Sequence, residues 1–191
     1  ITGTSQLDYK ELTPIANLFS EYMAFPVKAD SPITGGKDLV AMLAKDPASV
    51  PIAISTTRGN INHVAIMSAM RIAGVDPARL KIVVFDSGGK SITALLGGHV
   101  GLVSTAPANV APHLLAQSVR VLAVSAPRRL NGAFESVPTW KEQGINSIIS
   151  NWRGFAAASG IQPEHLAFWD SIFATITSSD EWKSFAADNY W

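Results

Sequence analysis

Pro51-Ile52-Ala53-Ile54-Ser55-Thr56-Thr57-Arg58-Gly59-Asn60-Ile61-Asn62-His63 is the stretch on which the fold turns. Its apolar head leads into three hydroxyl residues, an arginine, a glycine and two asparagines, and a helical pattern follows at once. Such a junction joins the C-terminal end of a strand to the N-terminus of a helix. Backbone N–H groups in a first helical turn lack intrahelical partners, and the aligned peptide dipoles leave that end slightly positive. Ser55, Thr56, Thr57, Asn60 and Asn62 add short polar side chains, and Gly59 lets the backbone come close to a ligand. A small anion, such as a carboxylate, phosphate or sulfate, suits this chemistry. The same residues also read as an ordinary helix start capped by Asn60 or Asn62. The residues alone leave both readings open.

Outward from this stretch, residues 52–55 read as a short buried strand. Residues 61–73 read as a helix with Val64, Met67 and Met70 on one face, Ile61 near it, and Gly74 as its stop. Residues 81–85 are the clearest strand. Residues 90–96 form a short helix ending at Gly97-Gly98, and 100–104 another strand. Pro107 opens a helix to about Gln117, since proline is tolerated in a first turn. Residues 119–125 close the series as a strand. The strands are continuous apolar runs rather than alternating ones, which predicts a doubly wound α/β lobe with a parallel sheet covered on both faces.

In such sheets ligands bind beyond the carboxyl ends of the strands. The loops there are 55–60, 86–89 and 104–106, all rich in small, hydroxyl or glycine residues. Turn chemistry alone also enriches loops in these residues, but three of them converging on one edge is what a concave site needs. Ser55, Thr56, Thr57, Gly59, Asn60 and Asn62 are therefore the expected ligand-binding residues. Ser87, Gly88, Ser104 and Thr105 line the same edge, and His63 is a weaker candidate. Asp86 reads as a loop cap or as a carboxylate base.

The flanks are less regular. Residues 12–19 and 22–27 are strand-like, and 38–44 form a short helix after Gly35-Gly36. A proline-containing connection covers 126–139, and helices are expected near 139–143, 163–176 and 180–188. Trp140, Trp152, Trp169, Trp182 and Trp191 read as core and lobe-packing residues, with Trp152 placed to reach a cleft.

The chain has 191 residues, 47% of them apolar and 16% charged, enough for one large domain or two small lobes. Fifteen basic and fifteen acidic residues cancel. No basic stripe points to nucleic acid. No apolar run approaches the roughly 20 residues that span a bilayer, so the chain is not expected to be membrane-embedded. Without cysteine there is no disulfide or thiolate–metal chemistry. The four histidines, at 63, 99, 113 and 165, have no metal-ligand spacing, so no metal or cofactor is expected. The opening Ile1-Thr2-Gly3-Thr4, without Met, reads as a processed or truncated chain.

Catalysis finds little support. No Gly-x-Ser-x-Gly elbow surrounds any serine. Gly88-Gly89-Lys90-Ser91 lacks the upstream glycine of a phosphate loop, and Gly97-Gly98-His99 reads as a helix stop. The expectation is a binding module, not an enzyme. Two rival readings remain: the effector-binding domain of a transcription regulator, and a small hydrolase.

Several blocks together resemble one known family. Ile54-Ser55-Thr56-Thr57-Arg58-Gly59-Asn60-Ile61-Asn62-His63-Val64-Ala65 is similar to the Ser-rich loop ending in His-Leu-Ala of tripartite tricarboxylate transporter substrate-binding proteins, the TctC or Bug family. Leu95-Leu96-Gly97-Gly98-His99-Val100 resembles its Leu-Leu-Gly-Gly-Gln-Val segment. Val119-Arg120-Val121-Leu122-Ala123-Val124 and Val137-Pro138-Thr139 match two later blocks, and Leu12-Thr13-Pro14-Ile15-Ala16 an earlier one. The order is the family's, across nearly the whole chain.

The resemblance implies a periplasmic solute-binding protein with a two-lobed, type II flytrap fold. It would capture a small carboxylate in an interlobe cleft, deliver it to membrane transporter subunits, and be a monomer when complete. It also implies a chain corresponding to the later two-thirds of a member. Residues 25–125 would be one complete lobe and 1–24 with 126–191 part of the other, with hinge strands near 18–27 and 119–126. Asp86 and Ser87 stand where many members have Tyr-Lys. Asp86 would repel a carboxylate if it faced the cleft, and Arg58 would offset it or select a second carboxylate.

Overall fold

The computed structural model describes residues 8–191. In chain order its elements are β1 (Leu12–Tyr22), β2 (Ala24–Lys28), α1 (Gly36–Lys45), β3 (Ile52–Ser55), α2 (Ile61–Ile72), β4 (Ile82–Phe85), α3 (Gly88–Leu96), β5 (Leu102–Val103), α4 (Pro107–Leu115), β6 (Val119–Val124), β7 (Ser150–Ala158), α5 (Pro163–Ser178) and α6 (Asp180–Asp188), with short 3-10 turns between some of them. The chain divides into a larger unit, Glu21–Asn151 with Tyr190, and a smaller one holding the described residues up to Ser20, Trp152–Asn189 and Trp191.

In the larger unit every residue of β3 is buried. β3 pairs in parallel with β4, Ile52 opposite Ile82 and Ser55 opposite Phe85, and on its other side with β5, Ile52 opposite Leu102. Ala24 and Thr105 exchange backbone hydrogen bonds of 2.8 and 3.1 Å, which joins β2 antiparallel to the end of β5. β6 pairs antiparallel with β2 through a register shift between Ala24 and Pro26. The order across the unit is therefore β4-β3-β5-β2-β6.

That order places the helices. The connection from β3 to β4 moves one way across the sheet, and the connection from β4 to β5 moves back over β3. Crossovers between parallel strands are right-handed, so reversing direction puts α2 and α3 on opposite faces. The packing agrees. Leu39 and Leu43 of α1, and Ala65, Ile66, Ala69 and Met70 of α2, join Ile52, Ile54, Phe25, Leu102 and Trp140 in one core. Ile92 and Leu95 of α3 and Val110 of α4 join Ala53, Val103, Val121 and Phe134 in a second. Alternate residues of one strand feed the two cores, Ile52 and Ile54 into the first and Ala53 into the second, as the strand repeat requires.

Several expectations change. The buried face of α2 is Asn62, Ala65, Ile66, Ala69 and Met70, while Val64 is exposed. A polar Asn62 belongs to the inner face because it has a buried partner, which apolar periodicity cannot reveal. The stop at Gly74 holds: its φ is 84°, and Val75 N–H donates to the Met70 carbonyl at 2.9 Å. The 100–104 strand shrinks to Leu102–Val103, because Gly101 and Leu102 share the Pro51 carbonyl. The helix near 139–143 is a 3-10 turn over Lys141–Gln143.

The division of the chain also differs from the 25–125 expectation. Residues 126–151 stay with the larger unit, and the second passage between units falls at Asn151 and Trp152, not near 119–126. Phe134, Val137 and Trp140 are buried there. Ser125 holds both ends of this unit together. Its Oγ accepts from Met23 N–H at 2.9 Å and donates to the Ile149 carbonyl at 2.6 Å.

In the smaller unit β1 pairs with β7. Ser159 N–H donates to the Glu11 carbonyl at 3.0 Å, and a Cβ at Gly154 would lie 2.3 Å from the Ala16 carbonyl oxygen. The strands thus run in opposite directions and touch closely at that glycine. β7 was not foreseen, because its residues do not alternate in polarity. α5 and α6 follow it. Trp140 alone of the tryptophans is fully buried; Trp152 and Trp169 are exposed, against the expectation of core roles.

Candidate functional site

The reversal of direction between the β3 and β5 connections creates a crevice outside their carboxyl ends, where ligands bind in open α/β sheets. The loops after β3 and β5 flank it. α3 crosses back over β3, and its first turn arrives beside the β5 loop. Gly88 measures that approach: a Cβ there would lie 2.4 Å from Asn109 Nδ2 and 2.9 Å from Thr105 Oγ1. The three loops singled out in the sequence do come together, with the N-termini of α2, α3 and α4.

The first loop is held by its own side chains. Thr56 N–H extends the ladder to the Phe85 carbonyl at 2.7 Å, and the chain then turns back with Thr56 at φ 68°. A threonine in the left-handed region is strained and needs support. Asn60 supplies it. Its Nδ2 donates to the Ser55 carbonyl and, at 2.8 Å, to Thr56 Oγ1, while its Oδ1 accepts from His63 N–H at 3.1 Å and caps α2. Beneath it, buried Asn62 donates from Nδ2 to Ser55 Oγ at 2.7 Å, and Ser104 Oγ donates to the Asn62 carbonyl at 2.7 Å. That chain of bonds ties the β3 loop to the β5 loop across the crevice.

The expected residues therefore divide into two sets. Ser55, Asn60, Asn62, Ser104 and Thr105 have their polar groups engaged within the protein, and Ser55, Asn62, Ser104 and Thr105 are buried. They build the edge. Thr56, Thr57, Gly59 and Ser87 are exposed on it, and Gly88 is partly so. Ser87 also caps α3, its Oγ accepting from Lys90 N–H at 3.3 Å. Gly88 is a packing glycine. Asn109 was missed. It donates from Nδ2 to Thr105 Oγ1 at 3.0 Å, and its spacing of four from Thr105, at the start of α4, was the available signal.

The charged side chains of the loops are engaged by neighbours. Arg58 donates to the Ile82 carbonyl at 3.1 Å, so it clamps the outer edge of β4. Lys90, one turn into α3, pairs with Asp86 at 2.5 Å and holds its carboxyl below the ordinary 3.8, by hydrogen bond and by charge. Asp86 is thus offset by Lys90 and not by Arg58. His63 Nδ1 accepts from Gly59 N–H at 2.9 Å, which leaves the proton of the neutral ring on Nε2, a buried atom without a partner. Burial, then the charge of Arg58, lowers its pKa from 6.5. The edge is therefore lined by neutral hydroxyl and amide groups. Among the described residues no three His, Asp or Glu gather in a way that could hold a metal ion, and no helix is long and apolar enough to cross a membrane.

Comparison with known proteins bears on this geometry. The sequence model described as tripartite tricarboxylate transporter family receptor matches residues 4–189. The UPF0065 protein in gbd 5'region of Cupriavidus necator is 28% identical over 159 residues, which are 81% of this chain and 46% of that protein. Among solved structures, a TctC solute binding protein from Polaromonas superposes with a TM-score of 0.80 at 24% identity, over 98% of this chain and 63% of that one. Rpa4515 of R. palustris, solved with adipate, gives 0.82 at 20% identity, over 98% and 62%. MatC from Rhodopseudomonas palustris, with bound malate, gives 0.78 at 19% identity, over 94% and 60%. The chain spans less than half of the curated relative and about three fifths of the solved ones. At these identities the superpositions establish a shared periplasmic-binding-protein fold.

Proposed function

The chain belongs to the tripartite tricarboxylate transporter receptor family, and on that premise we propose that it is the solute-binding component of such a transporter, taking a small carboxylate at the carboxyl edge of the β3–β5 sheet. The carrying observation is the convergence of three strand-end loops and three helix N-termini on one crevice, tied together by Ser55, Asn62 and Ser104. Helix N-termini favour anions, and the exposed Thr56, Thr57 and Ser87 offer neutral hydroxyl donors. Thr57 and Ser87 are assigned as ligand contacts. Gly88, Asn60, Asn62, Ser55, Ser104 and Thr105 hold the shape, and His63 braces the loop by accepting from Gly59 N–H. The adipate and malate bound by two structural relatives support the ligand class.

The rest of the proposal follows the family. The protein works in the periplasm, hands its ligand to membrane subunits, and performs no reaction. The larger unit, Glu21–Asn151, acts as the lobe expected over 25–125. A ligand favours a closed state by no more than its differential affinity for it, and scattering with and without ligand should show compaction.

Thermal shift against mono-, di- and tricarboxylates, with sulfate and phosphate as controls, is the decisive experiment. A ligand at 100 times its Kd adds about 2.7 kcal/mol. A shift confined to one or two carboxylates, reduced by Thr57→Ala, is the expected outcome. Silence across the panel from a folded protein overturns the reading.

A further inference from the structure

β6 is the outermost strand of its sheet, and its outer edge is only partly closed. The end of β6 is covered by the chain itself. Val124 N–H donates to the Pro138 carbonyl at 3.0 Å, Trp140 N–H to the Val124 carbonyl at 3.1 Å, and Gln143 Nε2 to the Leu122 carbonyl at 3.0 Å. The start of β6 is open. Pro26, which has no N–H, stands opposite Val121, so theirs is a pair without mutual hydrogen bonds. Three pairs further on, Ala29 N–H donates to the Ser118 carbonyl at 3.1 Å, which fixes the same alternation. The N–H and C=O groups of Val119 and Val121 therefore point away from β2, and no described residue hydrogen-bonds to them. Yet Val119 is only 3% exposed and Val121 6%. Backbone groups withdrawn from water without a partner are rare and costly. Beside them lies a cavity of about 500 Å³, walled by Leu114 and Leu115 of α4 and by Ala133 and Val137. β2 runs against β5, and β6 runs against β2. Val119 thus lies at the end of the sheet remote from the crevice.

This edge dictates the form of its occupant. Its outward donors and acceptors repeat every second residue, ~7 Å apart, a repeat that another extended backbone matches. Val119 and Val121 turn their side chains into the second core, where Leu114 also packs, so residues opposite them on an added strand would be apolar. Arg120 faces the other side of the sheet. Its guanidinium donates to the carbonyls of Ala29, Ser31 and Ile33, and among the described residues no carboxylate pairs with it. It is the one charged residue lining the cavity. An acidic residue opposite it on an added strand would meet a complementary charge. We propose that the Val119–Val121 edge of β6 binds a short extended segment of a partner polypeptide, apolar–acidic–apolar in pattern, as an added strand. This goes beyond the ligand reading and does not rest on it.

The probes are two acetylated, amidated pentapeptides, Thr-Val-Glu-Val-Thr and Thr-Val-Lys-Val-Thr, titrated onto the protein and followed by calorimetry and amide NMR. The glutamate peptide should bind at least tenfold more tightly than the lysine peptide. It should slow exchange of the Val119 and Val121 amides at least tenfold, and should stop binding once its own amides are N-methylated. Leu115→Glu, at a side chain 71% exposed, should weaken binding at least tenfold and leave exchange in β3 unchanged. Val121→Pro removes one outward donor without touching the ladder to β2, and should weaken it as well. Absence of binding at millimolar peptide, which would leave the cavity to ordered water, overturns the proposal. So does equal binding of the lysine peptide, or binding that perturbs Thr57 and Ser87 and leaves Val119 and Val121 unmoved. A carboxylate-induced thermal shift depends on the crevice at the other end of the sheet and is unaffected by these outcomes.

Discussion

The two units use the same secondary structure to opposite effect. In the larger one, α2 buries Asn62, Ala65, Ile66, Ala69 and Met70, while in the smaller one the longer α5 buries Phe173 alone. Phe25 and Trp140 meet at 5.1 Å in a closed core, and Phe155 and Phe173 stack at 4.7 Å on an open surface. Helix formation is local, but a helix is stable in a protein through the face it packs. The difference shows which unit carries most of the buried core.

The sharpest test sets one aromatic truncation against another. Phe25→Ala empties a site with no solvent exposure, and should cost ~3–5 kcal/mol in denaturant unfolding. Trp152→Ala, at 66% exposure, should stay within about 0.5 kcal/mol. Similar losses at both positions would break the contrast. Next is Ser125→Ala, which leaves the Met23 N–H and the Ile149 carbonyl without their buried partner. A loss of ~1–3 kcal/mol is expected, and it should appear in the transition of the larger unit.

A smaller effect belongs to the loop. Asn60→Ala removes the cap of α2 and the two donations that hold Thr56 in its left-handed turn. The cap alone is worth ~1 kcal/mol. Asn60→Asp keeps the acceptor and loses the donors, so it should recover part of that loss. Equal stability of the two variants would mean the cap acceptor contributes nothing, and an Asn60→Asp variant as stable as the unchanged protein would mean the donors contribute nothing.

The smallest effect is one of pH. Folding holds His63 below 6.5, so the unfolded chain takes up the proton first. Stability should be level above pH 6.5 and decline as pH falls below it, until the folded histidine also protonates. Asp38, Asp86 and Glu142, held below 3.8, 3.8 and 4.5, act further down the scale. His63→Gln should flatten the upper part of the curve; an unchanged slope would assign it to other groups.

Much of the larger unit was legible. Ile52–Ser55 and Val119–Val124 are apolar runs that only a covered strand explains, and Gly74 and Gly98 stop their helices with φ of 84° and 74°. The position of the crevice followed from strand–helix alternation. The division of labour within it did not. Asn62 and Thr57 are equally polar in sequence, yet one is buried on Ser55 and the other is exposed. Arg58 reads as an offset to Asp86 or a selector of a second carboxylate because nothing local shows that the Ile82 carbonyl lies within its reach. β7 escaped notice because a strand exposed on both faces has no polarity pattern to read.

By itself the sequence determined the order of strands and helices in the larger unit, several of their caps and stops, and the sheet edge on which three polar loops meet. These depend on neighbouring residues and on backbone geometry, which short stretches encode. Tertiary structure decided which polar side chains build that edge and which face outward, that Lys90 offsets Asp86, and that α5 buries Phe173 alone. Those depend on groups distant in sequence meeting in space, as Ser104 meets Asn62 across 42 positions, and burial is a property of the fold rather than of any residue in it.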